Sequence, residues 1–287
     1  MKGSNLFYGV IFGISLLVLL SIPFVIGEDV TSSVTVSGAA PVVGPMSTSD
    51  NIALSSCGTV LIWCNATVTD SNGWNDIDLV NSTLWDDAAA NEGDSDNNSN
   101  HYTNYSCYFS GSGSTAEANC SFTLLYYANP AEWTCKIYAN DTASNVSSNS
   151  TANVTVNTLR ALDANNTIDF TSLAPGATSP SDVNNTVMNC GNAAIDLNLS
   201  GTNLTNASAT VTNISVTNVK YNMTDYAQDY AANMTSLTTT TTYADYSLVK
   251  RTNGLSISDT YWKISIPGSI ETLTYTGTIN FTAVADT

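Results

Sequence analysis

The chain has 287 residues, with 7 Lys and Arg residues against 24 Asp and Glu residues, which gives a formal net charge of −17 at pH 7. A surface this acidic repels phosphate backbones and therefore excludes nucleic-acid binding. Hydrophobic residues make up 43% of the chain, enough to bury a core, so global disorder is also excluded. The length allows one large domain or two domains of ordinary size.

The first 27 residues form an apolar leader. Lys2 precedes an apolar stretch from Leu6 to Ile26, and short residues stand directly before Glu28. This pattern is typical of a secretory signal that is cleaved before Glu28. We therefore expect residues 28–287 to be extracellular and to lie at the cell surface.

Two other interpretations of the leader stay open. An uncleaved membrane anchor is one, because about 20 apolar residues can span a bilayer. A type IV pilin-like leader is the other, with cleavage at Lys2-Gly3 and residues 4–26 as a helix buried in a filament. In either case the membrane contacts only residues 1–27.

Asparagine sequons are unusually dense. The chain holds eighteen Asn-X-Ser/Thr sites without proline, whereas chance at this composition predicts roughly eight. The excess predicts an N-glycosylated protein that carries N-linked glycans on exposed positions. The sites are Asn65, Asn81, Asn97, Asn104, Asn119, Asn140, Asn145, Asn149, Asn153, Asn165, Asn184, Asn198, Asn203, Asn206, Asn213, Asn222, Asn233 and Asn280.

The remainder of the chain has a β pattern. Short runs rich in Val, Ile, Thr and Tyr alternate with Gly, Asn and Asp, and no long segment after residue 27 has a helical period. The pattern predicts an all-β protein, with two immunoglobulin-like β-sandwich domains in tandem after the N-terminal hydrophobic segment. The predicted divisions are a signal or anchor at 1–27, an extended strand or linker at 28–39, a first sandwich at 40–158 and a second at 159–287.

Strands are expected in both blocks. Residues 86–101 should form a polar acidic loop, and residues 226–251 either a long strand pair or an inserted loop. The first-block strands are expected at 40–46, 59–69, 77–85, 102–110, 118–127, 133–139 and 152–157. The second-block strands are expected at 184–189, 194–200, 211–220, 261–266 and 273–285. Residues 31–37 alternate as a short free strand, which either pairs with a sheet edge or acts as a flexible tether.

Six cysteines predict three disulfides, because an even count in an exported chain indicates a disulfide framework. Cys64 and Cys135 each fall on the apolar face of a strand, as a bridge between the two sheets of a sandwich requires. Cys107 and Cys120 flank a hairpin centred between them. Zinc binding is disfavoured, since the chain has no CxxC pair and a single histidine, His101.

Cys57 and Cys190 are left by elimination. They pair either across the two domains or with another subunit.

The first block contains the segments WCNATVTD, HYTNYSCYF, WTCKIYAND and STANVTV. These segments, which cover roughly residues 40–157, resemble immunoglobulin-like repeats of archaeal cell-surface proteins. In the second block, DFTSLAPGATS, NCGNAAIDLNLSGTNLT, YWKISIPG and TYTGTINFTA look like a β-sandwich of archaeal and bacterial surface and filament proteins, including TasA-like fibre subunits. Cys190 departs from that pattern, because a small polar residue is usual at its position. Both resemblances imply a structural or adhesive function outside the cell.

One loop could bind calcium. Asp70, Asn72, Asp76 and Asp78 place oxygen-bearing side chains at nearly alternate positions around a glycine, and calcium takes six to eight oxygen ligands. The competing interpretation is a turn in which these side chains bond their own backbone. The acidic loop would add Asp86, Asp87, Asp94 and Asp96, although a solvated run of charge explains them equally well. No other cofactor is expected.

No catalytic residues are predicted, because the chain has no GxSxG, HExxH or phosphate-binding glycine motif. The favoured function is a non-catalytic structural subunit of a surface filament, pilus or coat, which associates with copies of itself. The alternative is a tethered adhesin or a carbohydrate-binding module. Tryptophans that would stack on sugars in such a module are Trp74, Trp85, Trp133 and Trp262.

Overall fold

The computed structural model describes residues 27–35, 37–209, 213–224 and 226–287, without the side chains of 151–153. The predicted leader, 1–26, lies outside the described residues. Gly38–Thr287 form one compact unit. Among the described residues of the preceding unit, 27–35 are exposed and form no strand. No helix capable of crossing a membrane occurs in the described part of the chain.

The structure confirms an all-β protein built from sandwiches of largely antiparallel sheets. Nine strands fall in the first half of the compact unit: β1 Val42–Thr48, β2 Asn51–Ile52, β3 Thr59–Thr69, β4 Ile77–Asp86, β5 His101–Asn104, β6 Tyr108–Ser112, β7 Thr115–Leu125, β8 Glu132–Asp141 and β9 Val146–Val156. They form two sheets, ordered β1-β3-β7-β6 and β2-β9-β8-β4-β5. The two sheets enclose a hydrophobic core drawn from residues 43–159.

The strand order of the first sandwich is that of the immunoglobulin fold. Strands β1, β3, β7 and β6 take the places of A, B, E and D, and β9, β8 and β4 those of G, F and C. The fold's tyrosine corner, two residues before the second cysteine, is here a tryptophan. Trp133 is fully buried, and its Nε1 donates to the carbonyl oxygen of Asn129 at 3.1 Å. Trp133 therefore anchors the start of β8 as the tyrosine does elsewhere.

Within the described residues, the second sandwich has eight strands: β10 Leu162–Ala164, β11 Val183–Asn189, β12 Ile195–Gly201, β13 Val219–Asn222, β14 Thr235–Ser236, β15 Thr242–Leu248, β16 Ile257–Ile264 and β17 Ile279–Ala285. Their sheets are ordered β10-β11-β16-β13-β14 and β15-β12-β17. A separate core is drawn from residues 162–283. Trp262 of the first sheet contacts Phe281 of the second, with ring centroids 5.6 Å apart.

Several strand predictions were wrong in their bounds. The strand expected at 102–110 is two strands, because the chain crosses between sheets there. The Cys107 amide donates to Val80 of one sheet at 2.8 Å, while Tyr108 pairs with β7 in the other. The long strand at 146–156 begins earlier than expected.

The strand expected at 211–220 was also wrong over the described residues after 212. A short 3-10 helix spans Val216–Asn218, and β13 begins only at Val219. The side chain of Ser215 accepts a hydrogen bond from the Thr217 amide, which favours a turn over a strand. In 226–251 the structure forms the short β14 and the longer β15.

Candidate functional site

The structure contains three disulfides. The strand phases and the hairpin predicted two of them, and the third takes one of the two alternatives left open for Cys57 and Cys190. Cys64–Cys135 joins β3 to β8 and so connects the two sheets of the first sandwich. Cys107–Cys120 closes the hairpin of β6 and β7. All four of these cysteines are buried. Three disulfides in one chain indicate an oxidising, extracellular environment.

The third disulfide, Cys57–Cys190, joins the two sandwiches. The amide of Cys57 also donates to the carbonyl of Cys190 at 3.2 Å. Gly191 follows at a point of close backbone approach, where a methyl group would lie 2.2 Å from the carbonyl oxygen of Leu159. A residue larger than glycine would therefore force this junction apart.

A buried asparagine adds four hydrogen bonds to the junction. Asn192 is 1% exposed, and its side-chain nitrogen donates to the carbonyls of Ala128 at 2.9 Å and Asn157 at 3.0 Å. Its side-chain oxygen accepts from the Leu159 amide at 2.7 Å, and its own amide donates to Leu159 at 3.0 Å. Sequence reasoning missed this role, because Asn192 is one of many asparagines in the chain.

Two cations complete the junction. Lys250 Nζ donates to the Asn129 side chain, and Arg251 lies over the ring of Tyr127 at 4.8 Å. Burial lowers the pKa of Lys250, and the nearby charge of Asp86 acts in the opposite direction. The junction is thus held by a covalent bond, a buried amide and two cations.

Three aspartates meet at the other end of the first sandwich. Asp70 follows β3, Asp76 lies in the 3-10 helix Trp74–Asp76, and Asp141 ends β8. Each offers one carboxylate oxygen, and these three oxygens all lie within 4.8 Å of one another. Asp70 and Asp141 are buried and Asp76 is half-buried. Asp141 was absent from the predicted calcium set, because it is remote in sequence.

The hydrogen bonds of the acidic cluster (Asp70, Asp76 and Asp141) leave one oxygen unsatisfied. Asp141 accepts from the amide and side chain of Asn145 at 2.7 and 2.8 Å, bonds that lower the pKa of its carboxyl despite an opposing effect of burial. Thr142 donates its hydroxyl to Asp76. Asp70 Oδ1 accepts from the Asn72 amide at 2.8 Å, whereas Asp70 Oδ2 is buried without a hydrogen-bond partner.

The other predicted calcium ligands are placed differently. The Asn72 side-chain oxygen accepts from the Ala39 amide at 2.8 Å. Asp78 is exposed and lies outside the acidic cluster. Asp70 also bonds the backbone of its own turn through the Asn72 amide, so the turn interpretation accounts for part of the loop.

The acidic loop does not join the cluster, and it is more ordered than a solvated run of charge. Asp86 is buried and accepts from the Ala88 amide and the Asn129 side chain. Asp87 accepts from Thr134. Asp94 caps the Asn91 amide, and Asp96 accepts from Thr103.

His101 is buried rather than exposed in this loop. Its Nδ1 lies 3.0 Å from Asp96 Oδ1, and its Nε2 lies 3.0 Å from the carbonyl oxygen of Glu92. Glu92 also pairs with Lys136 at 2.8 Å. These contacts hold the loop against the sheet of β4, β5 and β8.

Sequon asparagines lie on accessible surface. Seven are exposed, namely Asn97, Asn165, Asn184, Asn203, Asn213, Asn233 and Asn280. Ten are half-buried, and the side chain of Asn153 is outside the described residues. None of the seventeen described sequon asparagines is buried, so burial in the core does not prevent glycosylation at any of them.

The tryptophans divide between core and surface. Trp133 and Trp262 are fully buried, which removes them from the predicted sugar-stacking set. Trp74 and Trp85 are half-buried. Trp63, which was not in that set, is 45% exposed on β3 beside the exposed Leu61.

A buried carboxylate organises the second sandwich. The pairing of β12 with β15 shifts register between Ile195 and Leu197, a bulge at which two backbone amides turn away from the ladder. Asp196, fully buried, accepts from those amides, of Tyr246 at 2.9 Å and Ser247 at 2.8 Å. It also accepts from the Tyr243 hydroxyl and the Thr287 amide.

Replacement of this carboxylate should be costly. Asp196→Ala removes the acceptor of the two bulge amides, of Tyr246 and Ser247, at about 1–3 kcal/mol each, and also that of the amide of the exposed Thr287. We therefore expect the free energy of unfolding to fall by about 2–4 kcal/mol. Denaturant unfolding at pH 7 measures the loss. The exposed neighbour Asp245→Ala is the control and should change stability little.

The same carboxylate predicts acid sensitivity. Burial raises the pKa of Asp196, but hydrogen bonds from Tyr243, Ser247, Tyr246 and Thr287 outweigh it and hold the pKa below 3.8. Because the pKa of Asp196 is lower in the folded state than in the unfolded state, its ionised carboxylate stabilises the fold at pH values above the unfolded-state pKa. This stabilisation is lost as the pH falls through the folded-state pKa. The difference between the natural protein and Asp196→Ala should therefore shrink below about pH 4. A difference that stays constant down to pH 2 would contradict this role.

No family model matches the chain, and no curated protein matches its sequence.

Proposed function

We propose that this protein is a non-catalytic structural subunit of an extracellular assembly on the cell surface, a filament, pilus or coat. The observation that carries the proposal is the junction between the sandwiches. A disulfide, the buried Asn192 and two cations fix the two sandwiches end to end. A subunit that bears load along an assembly needs such a rigid connection, because a flexible linker would leave the domains free to move relative to each other.

Other features support an exposed position outside the cell. The three disulfides fit an oxidising compartment. The many accessible sequons and the net charge of −17 fit a surface that stays hydrated and resists non-specific association. The resemblance of residues 40–157 to archaeal cell-surface repeats points in the same direction.

Negative-stain microscopy of the native or refolded protein tests the proposal. Regular filaments or sheets are the expected result, and they should form in a concentration-dependent way. Monomers alone at high concentration would overturn self-assembly. N-terminal sequencing of native material would then decide among signal, anchor and pilin-like leader.

Glycosylation belongs to this proposal, and the structure ranks the sequons. A glycan occupies the side-chain nitrogen of asparagine, so sites whose nitrogen already donates a hydrogen bond are disfavoured. Asn149 donates to Gly44 at 2.9 Å, and Asn145 to Asp141 at 2.8 Å. In the described part of the chain, six exposed sites have no such bond: Asn97, Asn165, Asn203, Asn213, Asn233 and Asn280.

Glycopeptide mass spectrometry of native protein should find these six sites occupied more fully than Asn145 and Asn149. The comparison is internal, since all eight sites are read from the same digest. High occupancy at Asn149 with bare Asn165 and Asn280 would contradict the ranking.

A tethered adhesin or carbohydrate-binding module is the second candidate, and Trp63 favours it. Its exposed ring lies two residues from the exposed Leu61 on the outer face of β3. A flat aromatic surface of this kind can stack on a sugar ring. Glycan-array binding that is lost in Trp63→Ala, from a protein that stays monomeric, would favour this function over assembly.

A further inference from the structure

The acidic cluster concentrates negative charge without a protein cation. Asp70, Asp76 and Asp141 each bring one oxygen to within 4.8 Å of the other two. The ion pairs within the described residues are His101–Asp96, Lys136–Glu92 and Lys263–Asp182, none of which reaches the cluster. Carboxylates this close repel one another unless a cation or a proton lies between them.

A second observation points to a bound ligand. Asp70 is 1% exposed, and its Oδ2 has no hydrogen-bond partner. A buried carboxylate oxygen without a hydrogen-bond donor from the protein carries a large desolvation penalty. Since Oδ1 already accepts from the Asn72 amide, Oδ2 is the atom available to a cation.

We propose that Asp70, Asp76 and Asp141 bind one calcium ion. The available donors are oxygens, which suit a hard cation, and the cluster contains no cysteine or histidine that would select zinc. Calcium accepts irregular sets of six to eight oxygens, whereas magnesium demands a near-ideal octahedron. Three carboxylates supply at least three of these oxygens, and solvent supplies the remainder at the half-buried Asp76.

The ion would connect segments that are far apart in sequence. Asp70 and Asp76 flank the turn from β3 to β4, and Asp141 begins the turn from β8 to β9. The incoming chain lies against the same place, since the Ala39 amide donates to Asn72. A methyl group on Gly38 would lie 3.9 Å from both Asn72 Oδ1 and Asp141 Oδ2.

This site is at the end of the first sandwich away from the junction. Cys57 precedes β3 and Asp70 follows it, and the eleven residues of β3 span about 36 Å. Calcium would therefore fix the chain where it enters the first sandwich, while Cys57–Cys190 fixes the opposite end, where the two sandwiches meet.

Terbium luminescence and thermal unfolding test the proposal on the full chain, purified in mild detergent and stripped with a chelator. Terbium replaces calcium at oxygen sites, and Trp74, two residues before Asp76, should sensitise its emission. Calcium should compete for the bound terbium and should raise the unfolding temperature. We expect Asp76→Asn to weaken calcium binding about tenfold or more, since affinity follows the number of charged ligands.

The matched control is Asp78→Asn, which removes an exposed carboxylate two residues away and should bind calcium as the natural protein does. Asp76 is half-buried, so its variant should fold, and circular dichroism without calcium verifies that it does. The proposal is overturned if about 10 mM calcium, above the range of weak extracellular sites, neither displaces terbium nor shifts unfolding. Unchanged binding in Asp76→Asn would refute the site, and an equal effect of magnesium would refute the choice of ion.

Discussion

A protein with serine at both Cys57 and Cys190 is expected to unfold in two transitions, whereas the natural protein should unfold in one. The disulfide closes a separation of 133 residues, and in the chain-entropy model a loop of this size stabilises by about 5 kcal/mol. Without it, the sandwiches are joined by the connecting chain and by noncovalent contacts, among them the hydrogen bond from the Cys57 amide to the Cys190 carbonyl and the contacts of Asn192, Lys250 and Arg251. Calorimetry without reductant measures the number of transitions directly.

The hairpin disulfide supplies the control for this experiment. Cys107–Cys120 spans only 13 residues, so its removal should cost about 3 kcal/mol in the same model. That loss should appear as a lower unfolding temperature for the first sandwich, without any uncoupling of the second. If the Cys57→Ser, Cys190→Ser protein still unfolds in a single transition, the noncovalent contacts alone couple the sandwiches.

Much of the first sandwich could be predicted because its strands bury one face each. Strand β3 was expected at 59–69 and is observed at Thr59–Thr69, since the buried Ile62, Cys64 and Ala66 alternate with exposed or half-buried residues. The same alternation placed Cys64 and Cys135 on facing sheets. The phase of a strand therefore carried enough information to pair two cysteines 71 residues apart.

The second sandwich was predicted less well, because several of its strands are short and lack a clear alternation. Strands β10 and β14 have three and two residues, too few for a periodic pattern. Strand β15 was not separated from its surroundings, because Ser247 adopts a positive φ of 46° at the bulge opposite Asp196. Such a bulge is set by the partner strand, which the local sequence does not contain.

The acidic cluster, too, could be predicted only in part from the local sequence. Asp70 and Asp76 were found because they stand in one loop, while Asp141 joins them only after the sheets have formed. The signal that would have found Asp141 is topological: in the immunoglobulin fold, the loop between strands B and C and the loop between F and G lie at the same end. Asp78, chosen by local spacing, points instead to solvent.

A protein that lacks residues 28–37 is expected to remain a folded, disulfide-bonded monomer that no longer assembles. In the described part of this segment, 28–35 and 37 are exposed and form no strand. Val30 and Val34 are 89% and 87% exposed, an arrangement that leaves apolar side chains and backbone groups without partners. A neighbouring subunit can satisfy both if residues 31–37 add as a strand to an open sheet edge.

Open edges of suitable length are present on the second sandwich. Strands β15 and β17 each have seven residues and stand at the two edges of their sheet, which matches the seven residues of 31–37. Each main-chain hydrogen bond gained contributes about 0.5–1.5 kcal/mol net, so a run of such bonds can drive assembly. The Gly38-Ala39-Ala40-Pro41 sequence that follows would let the segment turn away from its own sandwich.

Sedimentation velocity and microscopy measure the outcome, with the natural chain examined in parallel. The matched control replaces Val34 by Thr, which keeps the backbone and its hydrogen bonds but removes one apolar contact, and it should assemble more weakly rather than not at all. Normal filaments from the deletion variant would refute strand addition by this segment. Because the deletion ends before Gly38, it leaves Gly38 and Ala39 beside the acidic cluster, so a lost assembly could not be attributed to damage at the proposed calcium site.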